Sequence, residues 1–139
     1  MTQPGGTVAA AVWDYGQGME MLRVFWDEAV VLNRDAEARD ERHMPLSGDG
    51  ELAALFRKQG LQEIVNDALT VETRFSSFDD YWLPFLGGQG PAGAHVAGLT
   101  DAARSALEAR LRARLLAGQQ DRAFTLRGRA WAVRGVVAA

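Results

Sequence analysis

The run Thr7-Val8-Ala9-Ala10-Ala11-Val12-Trp13 constrains this chain more than any other feature. It follows a turn, Pro4-Gly5-Gly6, and ends at a polar tip, Asp14-Tyr15. A short apolar, partly β-branched run after such a turn reads as a strand. Its apolarity is continuous, not alternating, which predicts cover on both faces, as in an open α/β sheet. Such a strand needs paired neighbours and helices on each side. The sequence before it supplies neither, so the expected sheet is one already half built elsewhere.

Composition removes several classes of function. A net charge of −3 argues against a nucleic-acid surface. The absence of cysteine excludes disulfides and thiolate metal sites. No apolar run approaches the ~20 residues that span a bilayer, and the N-terminus lacks the pattern of a signal peptide. The expectation is a cytoplasmic protein with no membrane or nucleic-acid partner. Its 139 residues suffice for one domain, 1–139, with a real core. Abundant Ala, Arg and Gly suit a GC-rich bacterial gene.

Helical spacing of Leu22, Phe25, Trp26, Ala29 and Val30 predicts a helix from about Met19 to Asn33. The charged stretch Arg34 to Arg42 reads as a solvated helix end or loop. A second helix has Asp49 as its expected N-cap, Leu52, Leu55 and Phe56 as its buried face, and a Schellman stop at Gly60-Leu61. Alternation from Ile64 to Phe75 predicts a strand with one wet face, at or near a sheet edge. Ser77 and Asp80 resemble a capping box opening a short helix. Gly87 to Gly98 carries five glycines and reads as a loop. Thr100 caps a long helix to about Leu116. The last strand, Ala123 to Val137, is apolar on both faces from Ala130 onward and reads as central, with Trp131 in the core.

Three segments resemble the C-terminal half of a class I S-adenosylmethionine-dependent methyltransferase, of the small-molecule type related to ubiquinone biosynthesis. They are Thr2 to Tyr15, Glu51 to Leu61, and the aromatic, acidic and glycine-rich Phe78 to Pro91. The resemblance implies part of a Rossmann-like sheet, an α/β fold that is α+β as a fragment. Three main strands are expected, with the C-terminal one antiparallel and central, plus three to four helices. The family's N-terminal half, with its glycine-rich first motif, is missing from the matched region. The implied cofactor is S-adenosylmethionine, and none is expected to bind this chain alone. The implied partners are a small-molecule methyl acceptor and, through the strand Val8 to Trp13, either a second copy or the missing half.

Candidate substrate-binding residues are Trp13, Asp14 and Tyr15, at the carboxyl end of a strand where ligands of open sheets lie, and Tyr81 and Trp82. For Asp14 the alternative is packing plus a helix cap. For Tyr81 and Trp82 it is plain core packing. His43 and His95 have no ligand-spaced partners, and no nucleophile–base arrangement stands out. Three functions stay open: the substrate side of a methyltransferase, inactive alone; a non-catalytic dimerising remnant; and a small-molecule-binding domain.

Overall fold

The computed structural model describes residues 2–139. The chain combines α-helices with a three-stranded antiparallel open sheet. Strand β1 spans Thr7–Trp13, helix α1 Glu20–Leu32, α2 Glu51–Lys58, β2 Gln62–Phe75, α3 Phe78–Trp82, α4 Gly90–Ala97, α5 Asp101–Leu116 and β3 Phe124–Val136. Short 3-10 segments cover Arg34–Arg39, Glu41–His43 and Leu83–Gly87. The strand order is β1-β3-β2, so the C-terminal strand is central, as its two apolar faces predict. β1 and β3 run antiparallel, with Thr7 opposite Val136 and Trp13 opposite Ala130.

Contacts gather the described residues into two compact units. The first comprises residues 2–19, 42–71 and 128–139; the second comprises 20–41 and 72–127. In the first, α2 covers one face of the sheet. Leu52, Ala53, Phe56 and Val133 are its buried centre, with Val8, Val12, Leu61 and Ile64 packed around them. Gly60 takes a φ of +79°, which only glycine adopts without strain, and Leu61 N–H closes the Schellman bond to the Phe56 carbonyl at 3.2 Å. The N-cap is Gly50, not Asp49. The Asp49 carboxylate accepts a bond from the Asn66 side chain at 3.0 Å instead.

The opposite face of this sheet is open. Thr7, Ala9, Ala11 and Trp13 are all exposed, so β1 is not covered on both faces as its continuous apolarity predicts. Alanine explains the difference: it reads as apolar but adds little area that must leave water. On β2, Leu69 and Val71 are 53% and 48% exposed. Trp131 is partly buried, not core, and its indole N–H donates to the Ser47 carbonyl at 3.1 Å.

The second unit has an aromatic core. Phe25, Trp26, Phe78 and Tyr81 are each at most 1% exposed. The Phe25 ring stacks on Phe85 at 4.7 Å, and Phe75 stacks on Phe124 at 5.3 Å. α1 packs on α5, whose Leu107 and Leu111 are buried. Arg110 and Arg114 of α5 reach Glu28 of α1 at 2.7 and 3.2 Å. The glycine-rich segment 87–98, read as a loop, is helical from Gly90 to Ala97. Pro91 lies in the first turn of α4, where its missing N–H costs nothing, and the alanines that follow favour helix.

Candidate functional site

Asp14 follows β1 and is 5% exposed. Its carboxylate is fully engaged within the first unit. One oxygen accepts the Gln17 N–H at 3.1 Å. The other accepts from Arg129 Nε at 2.9 Å and from a terminal nitrogen of Arg129 at 2.5 Å. The Arg129 guanidinium also lies 4.9 Å from the centre of the Trp131 ring, in cation–π range. The Asp14 carbonyl accepts the N–H groups of Gly18 and Met19. Asp14 thus closes the turn that ends β1.

Trp13 and Tyr15 flank a different feature. Together with Ala11, Leu69, Val71 and Ala130 they line an open, apolar groove of about 450 Å³ on the uncovered sheet face. A neighbouring cavity of about 390 Å³ continues along the same face over Ala9, Ala132 and Val65, with Asp67 and Arg134 on its wall. Alanines form the floor because Ala9 and Ala11 occupy outward positions of β1, opposite Arg134 and Ala132 across the ladder, while Ala130 lies opposite Trp13. Trp13, Leu69 and Val71 make the walls. The sequence pointed to Trp13 and Tyr15, but not to Leu69, Val71 or Ala130, whose place depends on the register of three strands.

Tyr81 and Trp82 belong to the second unit, 1% and 3% exposed. The Tyr81 hydroxyl donates to the Met21 carbonyl at 2.9 Å. Its ring meets Phe75, Phe85 and Phe124 edge-on, and burial pushes its phenol pKa well above the ordinary value. Ser77 accepts the Asp80 N–H, and Asp80 reaches back to Ser76 rather than to Ser77. This is the packed, capped arrangement in which both aromatics serve the core.

The second unit also holds a buried polar cluster that the sequence did not reveal. Trp26 donates from its indole nitrogen to Glu41 at 2.5 Å. Arg23 makes a two-pronged contact with Asp40. Burial raises the Glu41 pKa, with the bond from Trp26 opposing that shift. Next to Trp26, with ring centres 5.4 Å apart, lies His95, which is 5% exposed. Burial lowers its pKa, and the Arg39 charge lowers it further.

A glycine turn follows β1, but a Cβ on Gly18 would lie 2.6 Å from the Arg129 Cβ and 2.9 Å from the Asp14 Cβ. That close approach is occupied by protein, not left for a ligand backbone. Among the described residues no cluster of three or more His, Asp or Glu side chains could hold a metal ion, and no helix is long and apolar enough to cross a membrane. Neither a scan against protein-family models nor a search of curated proteins returned a match.

Proposed function

We propose that this chain is the acceptor side of an S-adenosylmethionine-dependent small-molecule methyltransferase of Rossmann-like ancestry, working in the cytoplasm and inactive without a second body that brings the cofactor. The observation that carries this reading is the sheet itself. A C-terminal strand is central and antiparallel between β1 and β2, and β1 keeps an unpaired outer edge. That is the order the methyltransferase resemblance implies, with the open edge where a cofactor-binding half would join. The apolar groove at Trp13 and Tyr15 supports an acceptor site, since methyl transfer needs mainly positioning of donor and acceptor. The test is calorimetric. The chain alone should give no saturable heat with S-adenosylmethionine. The chain joined to the segment encoded directly upstream of it should bind with a dissociation constant in the micromolar range. Saturable binding by the chain alone, or none by the joined protein, would refute the reading.

A second reading is a non-catalytic homodimer. Asp67 and Arg134 on the open face favour it, because a two-fold axis could set the acid of one copy against the arginine of the other. Light scattering separates the two readings.

A further inference from the structure

The second unit contains a polar cavity that the methyltransferase reading does not use. It has a volume of about 290 Å³ and lies between the 3-10 segment Arg34–Arg39 and the C-terminal end of α4. Asn33, Asp35, Arg39 and His95 supply its polar wall, and Ala36 and Leu99 its apolar part.

Each polar group has a defined state. The Asn33 side-chain oxygen caps the 3-10 segment by accepting the Asp35 N–H at 3.0 Å. What Asn33 offers the cavity is therefore its amide NH₂, a donor. Arg39 is exposed and forms no ion pair among the described residues. His95 is held in place by the rings of Trp26 and Phe25, at 5.4 and 6.1 Å. It is 95% buried (5% exposed), and its Nδ1 has no hydrogen-bond partner among the described residues. A buried ring nitrogen without a partner is costly and calls for an explanation. Asp35 is the one carboxylate on the wall.

We propose that this cavity binds a small monocarboxylate bearing a hydroxyl or amino group. Arg39 takes the carboxylate, as a guanidinium does wherever planar anion recognition is needed. The Asn33 amide and the His95 imidazole add neutral donors or an acceptor beside it. Asp35 repels a second carboxylate and accepts from the hydroxyl or ammonium. The volume lies just under the usual range for ligand pockets, which suits a small occupant. The inference concerns the second unit alone and does not rest on the methyltransferase reading.

Proton NMR of the histidine side chains provides the test, since the chain has two histidines, His43 and His95. His43→Gln assigns the signals. L-lactate and L-threonine are titrated at pH 7, with lactamide and sodium chloride as neutral and ionic-strength controls. The expected result is a saturable shift of the His95 signal by at least one of the acids, half complete below about 10 mM, and a raised His95 pKa in the complex. Lactamide and salt should not reproduce it. Arg39→Gln should weaken the effect at least tenfold; Arg39 is exposed and unpaired, so the variant should fold. A His95 signal that responds to neither acid, that moves equally with salt, or that responds undiminished in Arg39→Gln overturns the proposal.

Discussion

Arg129 grips one oxygen of Asp14 with two nitrogens, at 2.9 and 2.5 Å, across a sequence separation of 115 residues. The pair fixes the end of β1 to β3, and the Asp14 N–H donates to the Arg129 carbonyl at 2.9 Å beside it. A side chain so engaged is a structural latch. The groove wall formed by Trp13 and Tyr15 depends on it without using its charge.

Asp14→Ala should therefore destabilise the fold rather than remove a binding contact. The Asp14 side chain is 7% exposed and the Arg129 side chain 36%, so water screens the pair in part. We expect a loss of about 1–3 kcal/mol, which is the range of about 1.5–3 kcal/mol for hydrogen bonds to charged groups, lowered at its bottom end for that screening. Urea melts of the single variants and of Asp14→Ala/Arg129→Ala give the coupling. Strictly additive losses would show that the two residues act independently.

The same ladder dictates how the open edge should be probed. Asp14 N–H donates to Arg129, and Val137 N–H donates to Gly6, so the even residues of β1 bond to β3. The odd residues, among them Ala9 and Ala11, direct their N–H groups to the free edge. Ala11→Pro removes an edge donor and leaves the internal ladder intact, whereas Ala10→Pro breaks the ladder. If two copies join through β1, Ala11→Pro should convert a dimer to a monomer, and Ala10→Pro should mainly unfold the sheet. Light scattering and melts together read this out. A monomer for the unmodified protein at high concentration excludes pairing of copies through the edge.

Local signals carried much of the fold. The Gly60-Leu61 stop and the Thr100 cap, whose hydroxyl accepts the Ala103 N–H at 3.2 Å, depend on neighbours a few residues away. The central place of β3 was legible because apolar residues lie on both faces from Ala130 onward. Helix α4 was hidden by composition: glycines suggested a loop, although Pro91 is the residue that suits a helix start. The groove and the His95 cavity were hidden for another reason. Leu69, Val71 and Ala130 meet Trp13 only through strand register, and Arg39 meets His95 only through packing of α4. No spacing within the sequence encodes either.

Tyr81 and Trp131 make contrasting predictions. Tyr81 is 1% exposed among aromatic rings, so Tyr81→Ala should cost about 3–5 kcal/mol. Tyr81→Phe keeps the packing and loses the bond to the Met21 carbonyl, a cost of about 0.5–1.5 kcal/mol. Trp131 is only partly buried, and its alanine variant should lose less than Tyr81→Ala. Denaturant melts rank the three. A Trp131→Ala loss larger than that of Tyr81→Ala would contradict the assignment of the aromatic core.

Acid should act on the second unit through His95. Its pKa is lowered from 6.5 in the folded chain, first by burial and then by Arg39. The folded state therefore binds the proton less readily than the unfolded state. The sign follows: the stability His95 contributes is complete above about pH 6.5 and declines as the pH falls below it. Glu41 acts in the opposite sense. Its pKa is raised from 4.5 by burial, so its contribution is complete below that value and is lost as the pH rises through its folded-state pKa. Asp35 and Arg39 line the same cavity as His95. They remain present in both proteins when wild type is compared with His95→Gln, and so cancel to first order. The difference in unfolding free energy between those two proteins should fall as the pH is lowered from 7.5 to 5. Repeating the comparison in a Glu41→Gln background removes the opposing carboxylate and should leave the slope in place. A difference that stays flat across this range would mean that His95 titrates alike in the folded and unfolded chains, and that its imidazole is not desolvated.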